Sequence, residues 1–409
     1  MKTDDTSQNG TVTQQEAATE KLARLHYLDW LQVLGVLGVF LFHTIQPFDE
    51  LVEWNIKNAE RSVLATLFSV FFTPWAMPFF FLMAGTTSWF SLRRRTRGRY
   101  IRERVRQLLI PFIIGSIVLT PILAYYELSH RGWWKGGSIV EFVLSAEART
   151  YFYTKFHPII LRPEVFSQLG YHLWFLGFLF VFALIALPVF TWLKQDAGKR
   201  FVAFLARLAE WRGGLLVFAI PLAVIRFTLQ PLFPQYSGWS DFFFMLVFFI
   251  SGYILITDER FMRAIRRDGL LYLILGIACT LFLYSVVVGV PVLDWMGSPG
   301  TSGFYVSWAV LSINGWSWTM VMLYVGMRFL DTTSRWLQYS REASYPFFWL
   351  HYPVTFFVTF YVAQWGVVLL IKMMVVVIGS LVISLGLYEL LVRRINPVRA
   401  LFGMKPRKA

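Results

Sequence analysis

The chain has 409 residues, of which 56% are hydrophobic and only 15% charged, with a mean hydropathy of +0.54 and a net charge of +14. A soluble domain carries about 25% charged residues, so the composition excludes a protein built from soluble cores and predicts an all-α integral membrane protein. The positive charge comes with no nucleic-acid-binding motif, and the single cysteine, Cys279, excludes an internal disulfide.

Residues 1–26 are polar and lack an apolar stretch, as expected of a disordered cytoplasmic tail. Residues 27–393 are expected to form one membrane domain, and 394–409 a basic cytoplasmic tail. A membrane-spanning helix needs about 20 mainly apolar residues. Such runs predict about ten transmembrane helices near 29–48, 63–91, 108–126, 172–193, 215–233, 241–257, 270–290, 304–329, 345–363 and 366–392. The first run, from Leu31 to Ile45, is followed by Gln46-Pro47-Phe48 and not by a small-residue cleavage site, so it reads as an uncleaved helix. Cys279 falls inside an apolar run and reads as a small hydrophobe.

The basic residues orient this plan. With the N-terminus inside, 29 of the 38 lysines and arginines fall in inner segments, seven in outer ones, and Arg226 and Lys372 within spans. That asymmetry follows the positive-inside rule and places both termini in the cytoplasm. The net charge is then topology, and the basic inner face suits anionic membrane lipid. The longest outer segment, residues 127–171, is rich in aromatics, including Trp133, Trp134, Tyr151 and Tyr153, and carries His157. A loop of that length is usually functional or disordered, and its aromatic content argues against disorder. An interfacial aromatic belt and a sugar-binding surface both remain open for it.

Ionisable residues inside membrane spans are costly and mark candidate sites. In the first helix, Gln32 and His43 are 11 residues apart, about three turns plus 20°, and Asp29 falls near the same stripe. His43 can exchange a proton near neutral pH, acting as a general base, or it can serve as packing glue. Asp29 can orient polar groups or cap the helix. Pro74 and Pro78 are expected to bend the second helix. The arginine run that follows, from Arg93 through Arg102, Arg104 and Arg106, is a topology anchor or a phosphate site. His172 opens the fourth span, with Trp174 just after it, and His351 lies two turns into the ninth. Glu389 near the end of the tenth is expected to pair with Arg393. Arg226 and Lys372 are expected to snorkel outward. No metal-ligand spacing is present.

Together these segments resemble a known group. Tyr27-Leu28-Asp29-Trp30-Leu31-Gln32 followed by Phe40-Leu41-Phe42-His43-Thr44 is similar to the opening of the acyltransferase type 3 family of bacterial membrane proteins. So are Met77–Gly85 with the arginine loop, Leu108-Leu109-Ile110-Pro111, His172-Leu173-Trp174-Phe175, Ser251-Gly252-Tyr253, Tyr345-Pro346 with His351, and Leu401-Phe402-Gly403-Met404-Lys405-Pro406. The pattern is closest to the family's glucan-modifying branch. The resemblance implies a bacterial inner-membrane enzyme. It would move an acetyl- or succinyl-class group from a cytoplasmic acyl-coenzyme A co-substrate to a hydroxyl of an extracytoplasmic carbohydrate. It implies His43 and Asp29 as catalytic residues, with Arg102, Arg104, Arg106 and Gln32 toward the donor. His172, Trp174, His351 and Glu389 are second-line candidates. Gln32 stands where the family carries an arginine, and an amide cannot supply that charge. A transporter or flippase of a polar lipid or sugar, and a non-catalytic membrane partner subunit, are the alternative readings. The oligomeric state is not legible.

Overall fold

The computed structural model describes residues 25–51, 54–157, 161–289, 298–402 and 404. The predicted polar tail up to residue 24, and residues 403 and 405–409 of the predicted basic tail, lie outside the described residues. Among the described residues the regular structure is helical throughout, with no strand.

Each of the ten apolar runs carries a helix. They are α1 His26–Ile45, α2 Val63–Arg94, α3 Arg97–Arg104, α4 Ile110–His130, α5 Ile139–Leu144, α6 Ala146–Phe156, α7 Glu164–Gly170 and α8 Trp174–Trp192. There follow α9 Asp196–Ala209, α10 Ala219–Leu229, α11 Trp239–Leu255, α12 Glu259–Gly289, α13 Ser302–Phe329, α14 Arg335–Val362, α15 Leu369–Leu387 and α16 Asn396–Leu401. The six helical segments His26–Phe48, Val63–Arg94, Arg97–His130, Glu164–Trp192, Glu259–Ser285 and Leu369–Val392 are long and apolar enough to cross a membrane. The short helices α5, α6 and α7 fill the long aromatic segment, where Phe142 is buried against Ala124, Leu128 and Ala148. Helix α9 has no counterpart among the predicted spans. It buries Val202, Ala206 and Ala209 on one side and exposes Phe201 and Phe204 beside Lys199 and Arg200, the pattern of a helix lying in a membrane surface.

Helix α1 lies against α2, α13, α14 and α15. Between α2 and α11 the backbones touch. A Cβ on Gly85 would stand 1.9 Å from the Phe249 carbonyl oxygen, and one on Gly252 would stand 1.9 Å from that of Leu82. Thr86 Oγ1 donates to the Gly252 carbonyl across the same contact, at 3.1 Å. Small residues at such crossings let membrane helices gain packing where lipid offers no hydrophobic drive.

Helix α2 runs unbroken from Val63 to Arg94 through Pro74 and Pro78. The carbonyl that Pro78 cannot bond, that of Pro74, faces Gly315, where a Cβ would come within 2.7 Å. Three expectations are corrected here. Arg226 does not snorkel. It is 8% exposed, bonds Asp241 at 2.8 Å and Ser240 at 3.0 Å, and lies over the rings of Phe244 and Trp308. Lys372 is also buried, and its Nζ reaches Asn58 Oδ1 at 3.3 Å. A buried charge needs a partner more than an interface when one lies within reach. Asp29 does not cap α1. The N-cap is Leu25, and Asp29 sits in the first turn, 3.5 Å from Arg341 on α14.

Candidate active site

Three histidines from distant parts of the chain meet where α1 ends. His43 stands in the last turn of α1, His351 near the middle of α14, and His172 on the tight turn Tyr171–Leu173 that opens α8. His43 Nδ1 and His351 Nε2 are 2.8 Å apart. The ring centroids are 5.1 Å apart and the planes differ by 11°. The His172 ring stands edge-on to both, with centroids 5.6 Å from His351 and 6.4 Å from His43.

The local sequence explains each placement. Proline 353 has no N–H, so the carbonyl four residues back, on Trp349, loses its helical partner. His172 Nε2 takes that carbonyl at 3.2 Å. A carbonyl only accepts, so the proton is on Nε2, and His172 Nδ1 is left buried with no partner. Tyr171 adopts φ 48°, a left-handed conformation that costs a non-glycine residue energy. Its hydroxyl donates to Glu127 Oε2 at 3.1 Å, and its ring packs against Tyr352 and Phe356. Those contacts hold the turn that aims His172.

Tyr352 and Trp54 complete the cluster. The Tyr352 ring is 4.8 Å from His43 and stacks on His172 at 4.5 Å, while Trp54 stacks on His43 at 5.6 Å. Beyond them Glu127 gathers Asn55 Nδ2 at 2.6 Å and Arg131 at 3.3 Å. Lys155 of α6 reaches Tyr151 Oη at 2.8 Å and lies over the Tyr171 ring. Burial pulls the Lys155 ammonium below its ordinary range; Glu127 works against that shift and Arg131 adds to it.

The other end of the bundle is basic. Arg99, Arg102 and Arg106 line a cleft of about 630 Å³ with Thr96, Gly98 and Glu103. Glu103 pairs with Arg95 and Arg99, and among the described residues no carboxylate pairs with Arg102 or Arg106. Arg104 lies over the Tyr100 ring. The chain then widens into a π turn, Val105–Leu109. Pro111 lacks the N–H that would bond the Gln107 carbonyl, and Tyr345 Oη donates to that oxygen at 3.0 Å. Tyr345 and His351 are six residues apart on α14, about 9 Å of rise. One helix thus joins the arginine end to the histidine cluster. A second π turn, Tyr388–Val392, carries Glu389, which bonds Tyr339 at 2.7 Å and Arg393 at 2.8 Å.

A family model described as an acyltransferase domain, that of the acyltransferase type 3 proteins, matches residues 25–389. The chain belongs to this family. Curated relatives named glucans biosynthesis protein C, from Salmonella schwarzengrund (strain CVM19633) and Salmonella heidelberg (strain SL476), are each 26% identical over 396 residues. Each comparison covers 94% of this chain and 95% of the relative. No solved structure gives a significant match. The chain is therefore a multi-pass membrane acyltransferase.

In this acyltransferase the structure brings together three of the candidate residues, His43, His172 and His351. It sets Asp29 apart from them, at the opposite end of α1, about 20 Å away along the helix. Gln32 is exposed on α1 and joins neither end. Trp174 packs with Phe81, Phe178 and Tyr236 and does not reach the histidines. Glu389 forms the expected ion pair with Arg393. Sequence reasoning missed Trp54, Glu127 and Arg341, none of which lies in a periodic pattern, and gave no role to Tyr352, the neighbour of His351. Among the described residues no group of three or more His, Cys, Asp or Glu side chains is arranged to hold a metal ion.

Proposed function

We propose that the acyltransferase moves an acetyl- or succinyl-class group from cytoplasmic acyl-coenzyme A to a carbohydrate hydroxyl outside the bacterial inner membrane, with His43 as general base. The 2.8 Å contact between His43 Nδ1 and His351 Nε2 carries this reading, because it leaves His43 Nε2 as the ring's second nitrogen for a substrate proton. Ten spans with both termini cytoplasmic put the arginine cleft on the donor side and the aromatic cluster outside. Arg102 and Arg106 then hold the coenzyme A phosphates, and Arg104 adds positive potential beside them. Asp29, paired with Arg341, orients the inner end of α1.

The step balances simply. The acceptor hydroxyl gives its proton to His43 Nε2 as its oxygen bonds to the thioester carbonyl carbon. The C–S bond breaks, and the leaving thiolate takes the proton from His43. His172 Nδ1, buried and unpartnered, is an acceptor for the incoming hydroxyl or a bound water. The curated relatives' printed names make a glucan the first acceptor to test.

Proteoliposomes supplied with labelled acetyl- or succinyl-coenzyme A outside and a soluble glucan inside should release free thiol and label the glucan. Glucan movement without covalent change overturns the proposal in favour of a transporter. Gln32→Arg adds a charge on an exposed face of α1, outside the arginine cleft. Such a surface charge contributes about 0–0.5 kcal/mol, so the donor KM should stay within about twofold of the wild type. A larger fall in donor KM would show that position 32 does reach the donor.

A further inference from the structure

We infer that His351 is a positioning residue that fixes which nitrogen of His43 carries the proton, with the Phe347 carbonyl as the fixed end of the chain of bonds. The inference rests on the reading of His43 as the base and adds what makes it one.

His351 Nδ1 lies 3.1 Å from the Phe347 carbonyl oxygen, one turn back on the same helix. A carbonyl oxygen has no proton to give, so His351 Nδ1 carries one and donates it. A neutral imidazole has a single N–H, so His351 Nε2 is then a lone pair. It faces His43 Nδ1 at 2.8 Å, so His43 Nδ1 must carry the proton and donate. His43 Nε2 is thereby left unprotonated.

The ring geometry agrees. The 5.1 Å centroid separation is the nitrogen–nitrogen distance plus the two ring radii, and the planes are nearly parallel. The rings therefore meet edge to edge, in the direction an in-plane lone pair requires. The opposite assignment would need His351 doubly protonated. His351 is fully buried, its ring lies among Phe40, Phe347, Phe348 and Tyr352's neighbour His172, and among the described residues no carboxylate hydrogen-bonds to it. A cation there would be uncompensated. The carbonyl–imidazole–imidazole chain does for His43 what a buried carboxylate does for the base of a hydrolytic triad: it selects the tautomer and holds the ring.

Two substitutions separate the two bonds. His351→Asn keeps an amide within reach of the Phe347 carbonyl but is too short to meet His43. His351→Gln places an amide oxygen near the former Nε2 and keeps an acceptor for His43. In full-length protein labelled with ¹⁵N-histidine, the wild type should show His43 with Nδ1 protonated and Nε2 bare, its signals identified by their loss in His43→Ala. The Asn variant should move the proton wholly or partly to Nε2 and lower kcat by about 10²-fold, a general-base-sized loss, with donor KM changed less than threefold. The Gln variant should restore the wild-type tautomer and recover at least tenfold of the lost kcat. The inference falls if the wild type carries the proton on Nε2. It also falls if the Asn variant keeps the wild-type tautomer, or if Gln restores the tautomer without restoring turnover. Full activity in His43→Ala would instead remove the reading of the base itself, so the two failures are distinguishable.

Discussion

His43→Ala lowers the turnover of acyl transfer by about 10²–10⁴-fold, the range a positioned general base contributes, or about 3–5 kcal/mol of barrier. Its basis is the position of His43, in the last turn of α1, stacked under Trp54, edge-on to Tyr352 and bonded to His351. The arginine cleft that would hold the donor involves α3 and the following π turn, and His43 has no part in it. The loss should therefore fall on kcat, with donor KM nearly unchanged. Initial rates of thiol release and of acceptor labelling, each against donor concentration, check this split. His157→Ala is the control, since that imidazole is exposed and, among the described residues, meets the ring of Tyr153 alone. Wild-type turnover in His43→Ala sinks the assignment of His43.

The helices were legible because lipid and protein core both demand long apolar runs, and those runs survive in one dimension. The pairing of helices was not. His43 and His351 are 308 residues apart, so nothing local signals that their rings touch. The sequence marked all three histidines as costly residues in or beside spans, which is a local property, but could not rank them as partners. Arg226 shows the same limit. Its partner Asp241 lies 15 residues on, in the first turn of α11, and only the packing of α10 against α11 reveals the pair. Prolines carried more information than expected. Pro111 and Pro353 free the Gln107 and Trp349 carbonyls, which Tyr345 and His172 then use.

Gly252→Val should severely damage the fold. The α2–α11 contact is made by backbone against backbone, and the obstructing atoms at Gly252 are the Leu82 carbonyl oxygen, carbon and Cα at 1.9, 2.7 and 3.0 Å. A flexible side chain could turn aside; a helix backbone cannot. Valine would force α2 and α11 apart, breaking the Thr86–Gly252 bond and the reciprocal seat of Gly85 on Phe249. Overpacking a well-filled site costs about 1–3 kcal/mol, and more where backbones must move. The purified variant should lose its monodisperse peak in detergent, or unfold at a clearly lower temperature than the wild type. Gly85→Val, on the other side of the contact, should do the same. Gly386→Val is the matched control, because a Cβ there meets nothing within 4 Å, and it should leave both measurements unchanged. Equal behaviour of the Gly252 and Gly386 variants would mean that α2 and α11 are not held at backbone contact. The bundle that brings α14 and its histidine to α1 includes α2 beside α1, so loss of the α2–α11 seat should also remove acyl transfer while every catalytic side chain is still present.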